Sequence, residues 1–225
     1  MIRVHVICEG PTEVTFVYSL LSEPFRAKGI ELYPSLVGTA GHKGGNFKYE
    51  RLFNDVEKRL LGDKTSYCTS FFDFYGLPES FPGKIEAGKL SSVNEKATYL
   101  KTALVEKLSA KLGVDVVSRF IPYVQMYEFE GLLFSNPESL ALSVGCTNTV
   151  EKFQAIRDEF DSPEAINNSP QTAPSKRIEK LCIGYDKVTA GSIAAMDIGL
   201  SEIRKECSLF DEWLTELEAL ANASS

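Results

Sequence analysis

Three apolar runs, each ending in acid, constrain this chain more than any other feature. Residues 2–8, 66–72 and 114–125 each read as a buried strand. They lead into Glu9, into Asp73, and into Glu128 and Glu130. Residues 30–37 read as a further strand. Helical patterns separate them: Val14, Val17, Tyr18 and Leu21 after a Thr12 cap and ending near Pro24, then Leu52, Val56, Leu60 and Leu61, then residues 95–112. Strands alternating with helices predict an α/β fold, a mainly parallel sheet flanked by helices. Residues 1–225 are expected to form a single domain. Residues 150–225 form a mostly helical C-terminal extension packed on it, whose last helix (about 209–221) buries Phe210, Trp213, Leu214 and Leu217.

In an open parallel sheet the C-terminal ends of the strands share one edge, where ligand sites form. Neighbouring strands would therefore bring Glu9, Asp73 and Glu128 or Glu130 together. Converging carboxylates repel unless protonated or bridged by a cation. An all-oxygen set favours Mg²⁺ or Mn²⁺ over zinc, and such ions serve phosphoryl chemistry. For any one of these residues, helix capping or solvation explains an acid better than a metal does; it is the coincidence of three that points to a site. Glu128 and Glu130 would share a face on a strand and diverge in a helix. Gly131 suggests a helix start, which favours Glu130. Glu13 reads as a first-turn helix residue.

Charge and cysteine content narrow the classes. Twenty-four basic against thirty-one acidic residues give a net charge of -7, so no global field draws the chain onto nucleic acid. Five cysteines (Cys8, Cys68, Cys146, Cys182 and Cys207) include no CxxC pair, which predicts five reduced thiols in a cytoplasmic protein. No apolar run approaches the roughly 18–20 residues of a membrane span, and the first residues read as a strand, not a leader.

Glu9-Gly10-Pro11-Thr12-Glu13 after an apolar strand resembles the first motif of TOPRIM domains, the metal-binding α/β domains of topoisomerases, bacterial primases and overcoming-lysogenization-defect nucleases. That family's Asp-x-Asp motif matches at Asp73 and departs at Tyr75. More closely, the chain resembles a TOPRIM-like bacterial family of domains of unknown function, often found with ATPases in defence-type gene clusters. That likeness runs through Lys43-Gly44-Gly45, Asp73-Phe74-Tyr75-Gly76-Leu77-Pro78, residues 127–134 and Ile198-Gly199-Leu200, and on to Trp213. The resemblance implies a Mg²⁺- or Mn²⁺-dependent nuclease or phosphoryl-transfer protein. Glu9 and Asp73 are its first ligands, then Glu130 or Glu128, with nucleic acid as substrate and an ATPase as partner. The other expectation is a catalytically silent subunit that works only within a complex.

Further candidates are Lys176 and Arg177 near a phosphate, Asp197 at a second metal, and His42 and Lys43 in a glycine-rich loop that lacks the Walker A ending. Each reads as readily as an exposed charge, a helix cap or a surface loop. Arg204 reads as one wall of an ion pair. Six lysines at positions 84–111 suggest either a modest basic face or a solvated helix. The Asp-x-Asp-x-Thr/Val of a haloacid-dehalogenase-type phosphatase is absent, as is a G-x-G-x-x-G dinucleotide loop.

Overall fold

The computed structural model describes residues 1–38, 48–167, 169–187 and 189–223; His42 and Lys43 lie outside them. In chain order the strands are β1 (Ile2–Cys8), β2 (Ile30–Leu36), β3 (Tyr67–Asp73), β4 (Phe120–Ile121) and β5 (Val124–Gln125). The helices are α1 (Pro11–Phe16), α2 (Ser22–Ala27), α3 (Tyr49–Gly62), α4 (Lys84–Gly88), α5 (Val93–Leu112), α6 (Val114–Val117), α7 (Pro137–Ser143), α8 (Val150–Asp158), α9 (Pro174–Leu181), α10 (Thr189–Ile198), α11 (Leu200–Glu206) and α12 (Ser208–Ala223).

The sheet runs β2-β1-β3-β4, with β5 continuing alongside β3, and every pairing is parallel. The fold is therefore α/β, as the strand–helix alternation requires. Period-two alternation sends neighbouring side chains to opposite faces. Val4, Val6, Cys8 and Phe71 enter one core with Phe16, Leu21, Phe129, Phe210 and Leu214. Ile7, Cys68 and Phe72 enter the other with Leu52, Val56, Leu100 and Leu104. The C-terminal helices thus close the first face, and α3 and α5 close the second.

Four local expectations fail for physical reasons. Residues 114–125 are not one strand. Val114–Val117 form a helical turn, and Pro122, which has no N–H to give a ladder, separates the two-residue strands β4 and β5. The first helix does not stop near Pro24. A widened turn at Val17–Leu21, where Ser22 N–H reaches back to Val17 O, lets the chain continue helically to Ala27. Thr12 is not the cap: Gly10 holds that place and Pro11 opens α1. Nor are all five cysteines free thiols, because Cys146 and Cys182 are joined by a disulfide while Cys8, Cys68 and Cys207 are free and buried.

Candidate metal centre

The register fixes where the acids emerge. Cys8 pairs with Phe71, and Asp73 with Gln125, so the ends of β1, β3 and β5 meet at one edge. Glu9 N–H donates to Phe71 O (3.1 Å), and the Glu9 carboxylate turns back so that its Oε2 accepts from Asp73 N (3.1 Å). This fold-back needs Gly76: a Cβ there would lie 2.1 Å from Glu9 Oε1. On the next turn Gly10 has no side chain with which to cap α1. Glu13 Oε2 instead accepts from Gly10 N at 2.7 Å, which buries the Glu13 carboxylate.

Beyond β5 the chain reverses at Tyr127, whose φ of 64° lies in the left-handed region that bulky residues rarely adopt. Glu128 then stays extended, and Glu130 falls in the 3₁₀ turn Phe129–Ser135. The two therefore diverge. Glu128 Oε2 accepts from Ser175 N (2.9 Å) at the start of α9. Glu130 is wholly buried beside Asp73, which is 6% exposed.

Between Asp73 and Glu130 stands Lys187, from the turn joining α9 to α10. Its Nζ lies 2.9 Å from Glu130 Oε2 and 3.4 Å from Asp73 Oδ2. Each acid thus commits one oxygen to an internal partner. Glu130 Oε2 has only its ion pair with Lys187, and Asp73 Oδ1 and Glu130 Oε1 are buried with neither a hydrogen-bond nor an ion-pair partner, an arrangement that costs free energy unless something binds there. Burial pushes the Glu9 and Glu130 carboxyls up to about 7. It raises Asp73 well above the ordinary range, reinforced by Glu13, Glu9 and Glu130, and raises Glu13 as well. Burial alone would lower Lys187, but Asp73 and Glu130 hold its ammonium well above the usual lysine value.

This donor set suits a hard divalent cation: clustered carboxylates, two orphaned buried oxygens, no thiolate or imidazole. Among the described residues no three carboxylates already stand at the spacing of ligands around one ion, and Lys187 occupies the space between two of them.

A cationic and aromatic wall borders the centre. Tyr75 donates its hydroxyl to Asn167 Oδ1, so it supplies no second acid. Its N–H donates to Tyr127 O (3.1 Å), and the two rings lie 5.5 Å apart. Lys84 sits 3.3 Å over the Phe74 ring and donates to Phe74 O. Burial and then Lys96 lower its ammonium to about 8, against the pull of Glu9. Lys96 is buried and donates to the Tyr127 hydroxyl (3.1 Å).

Of the residues singled out in the sequence, Glu9, Asp73 and Glu130 come together, with Glu128 at their margin. Lys176 does not join them. It is exposed on α9 and pairs with Glu179 at 2.7 Å, the i,i+3 neighbour. Arg177 pairs with Glu159 (3.3 Å) instead of facing the centre. Asp197 is also elsewhere. In α10, Gly191, Ala194, Ala195 and Ile198 face inward. Helical rotation therefore puts Asp197 outside, where it accepts from Ser143 Oγ at 2.6 Å. The lysines of 84–111 form no single basic face: Lys84 and Lys96 turn inward, Lys101 pairs with Glu216, and Lys111 lies over Phe53. Arg204 does form an ion-paired wall, with Asp211 and Glu218. Lys187 carried no signal of its own, being a loop lysine 114 residues from Asp73. Glu13 had one, as the third helical residue after a glycine cap.

The family described as "Domain of unknown function (DUF4276)" matches residues 8–218. No curated protein matches the chain. Among solved structures, the C-terminal region of the Burkholderia pseudomallei OLD protein aligns at 15% identity and a TM-score of 0.42, over 96% of this chain and 98% of that one. The C-terminal region of the Xanthomonas campestris pv. campestris OLD protein aligns at 16% identity and 0.41, over 99% and 98%.

Proposed function

The chain belongs to the DUF4276 family, and we propose that it is a divalent-metal-dependent nuclease of TOPRIM-like type, cleaving a phosphodiester with Mg²⁺ or Mn²⁺. One observation supports this reading: Glu9 and Asp73, at the ends of β1 and β3, and Glu130, in the 3₁₀ turn after β5, lie at one sheet edge, where Asp73 Oδ1 and Glu130 Oε1 are buried without a partner. The Glu9-Gly10-Pro11-Thr12-Glu13 and Asp73 motifs support it. Glu9, Asp73 and Glu130 would hold the metal, which when bound supplies positive charge for a phosphate and acidifies a water.

The protein's own groups have separable tasks. The Asp73 amide and the bare Cα of Gly76 orient Glu9, as outer-shell partners orient ligands generally. The Ser175 amide holds Glu128 at the rim. The rings of Phe74, Tyr75 and Tyr127 pack on one another beside Asp73. Lys84 turns inward beside them, its ammonium over the Phe74 ring and donating to Phe74 O.

The test is cleavage of single- and double-stranded DNA and RNA by purified protein with Mn²⁺, then Mg²⁺, comparing wild type with Asp73→Asn. Metal-dependent cleavage that disappears in the variant is expected. Cleavage retained by Asp73→Asn would remove the assignment.

The net charge of -7 favours a second reading, a silent subunit that acts on nucleic acid only beside an ATPase partner. On that reading the chain alone is inert with every metal and gains activity when the partner is added.

A further inference from the structure

We propose that the Cys146–Cys182 cystine is a reversible redox latch: closed, it holds the turn 182–187 against the acidic edge, and reduced, it lets that turn leave the edge. The inference concerns access to the edge and stands whether or not a metal binds there. Cys146 lies in the loop after α7, and Cys182 directly follows α9. Their Cα atoms are 5.9 Å apart across 36 residues of chain, an ordinary separation for a cystine. Cys182 is therefore the root of the turn, and Lys187 is its far end, 2.9 Å from Glu130 Oε2 and 3.4 Å from Asp73 Oδ2. Apart from the cystine the turn is thinly anchored. Ile183 is 100% exposed, and Gly184, at φ 88°, reverses the chain in the left-handed region. Tyr185 N donates to Cys182 O at 3.2 Å. The Tyr185 hydroxyl is buried against Gly191 with no hydrogen-bond partner among the described residues, so this contact carries a cost of its own. The helix before the turn is held by other means: Ile178 enters the core, and Arg177 donates to Thr172 O and pairs with Glu159. A turn so held sits at the low end of local stability. A cross-link at its root acts by limiting the states that the opened chain can visit.

The two sulfurs are not equally accessible. Cys146 is partly exposed, whereas Cys182 is buried. A small dithiol therefore attacks Cys146 Sγ. Its thiolate forms a mixed disulfide there, and the Cys182 sulfur leaves and takes a proton. The second thiol of the reagent then displaces Cys146, which takes another proton. Two electrons and two protons thus pass to the protein, and the dithiol becomes a disulfide. A small-molecule disulfide runs the same exchange in reverse. Cys8, Cys68 and Cys207 are buried and do not compete for either reagent.

The experiment follows hydrogen exchange by mass spectrometry on the full chain without metal. Wild type is compared after treatment with glutathione disulfide and after reduction with dithiothreitol, beside Cys146→Ser. Free thiols are counted in each sample after denaturation. Oxidised wild type should show three free thiols and reduced wild type all five. Segment 182–187 should exchange at least about 10-fold faster after reduction and in Cys146→Ser, with β1 and β3 unchanged. An unchanged rate in 182–187 would overturn the latch. So would an equal rise throughout β1 and β3, because the cystine would then be a staple for the whole fold. Five free thiols after treatment with glutathione disulfide would remove the cystine and the latch together. If Cys146→Ser does not fold, the two forms of wild type decide.

Discussion

Glu164 and Glu130 are hidden almost equally, 1% and 0% exposed, and burial pushes both carboxyls up to about 7. Their surroundings nevertheless differ. Glu164 spends both oxygens on the start of α12: Oε1 accepts from Phe210 N (3.0 Å) and Oε2 from Leu209 N (2.9 Å). Glu130 has Lys187 beside one oxygen and nothing on the other. A buried acid with both oxygens filled is a structural cap. A buried acid with a vacant oxygen, next to a second such acid, is what the proposed metal centre requires. A raised carboxyl pKa cannot separate the two cases; the unmatched oxygen does.

The largest expected effect that tests this contrast is at Asp73. Asp73→Asn should weaken Mn²⁺ binding by at least about 100-fold, the upper range seen even for outer-shell partners of a metal. Metal-free stability should move by no more than about 1 kcal/mol, because the amide keeps the shape and removes a strained charge. A large loss of stability with metal binding intact would put Asp73 in the class of Glu164. Next is Gly76→Ala. Its Cβ would enter the space of the Glu9 carboxylate, costing about 1–3 kcal/mol as an overpacked contact and weakening Mn²⁺ binding. Denaturant melts and calorimetry read the two separately.

Glu164→Gln sharpens the contrast from the other side, because Mn²⁺ binding should not change. The effect should appear in the pH dependence of stability. A carboxyl raised in the folded state contributes fully below its unfolded value of about 4.5 and loses that contribution as pH rises through about 7. The difference in stability between wild type and Glu164→Gln should therefore fall by up to about 3 kcal/mol across that window. A flat difference would contradict the assignment. The smallest effects belong to Lys176→Ala and Asp197→Ala, both on the surface and away from the acids. Each should stay within about 0.5 kcal/mol in stability and leave Mn²⁺ binding unchanged.

The parts of this molecule that were legible in its sequence are those fixed by local pattern. β1 and β3 are mainly apolar runs whose C-terminal halves are buried on both faces, and an acid directly after such a run lands on the sheet edge whatever else the chain does. Residues 114–125 misled because valine-rich segments suit a helical turn as well as a strand, and the Pro122 break outweighs their β preference. Lys187, Glu164 and the Cys146–Cys182 pair share another difficulty: each takes its meaning from residues 36 to 114 positions away. Glu164 lies in what reads as a polar loop, and only the docking of α12 turns it into a buried cap. Glu128 and Glu130 were separable in principle by secondary structure, and the 3₁₀ turn does separate them.

Tyr127 has a consequence for how this site tolerates change. The torsion at this residue favours glycine or asparagine, at a cost of about 1–2 kcal/mol for other side chains. Yet its ring stands against Phe74 and Tyr75, and its hydroxyl receives Lys96. The backbone asks for the smallest side chain and the neighbours ask for one of the largest. A position under two opposed demands has few acceptable substitutes: glycine would relax the torsion and empty the wall, while valine would satisfy neither. The turn that aims Glu128 and Glu130 is therefore a point of low mutational freedom, although Tyr127 itself supplies no ligand.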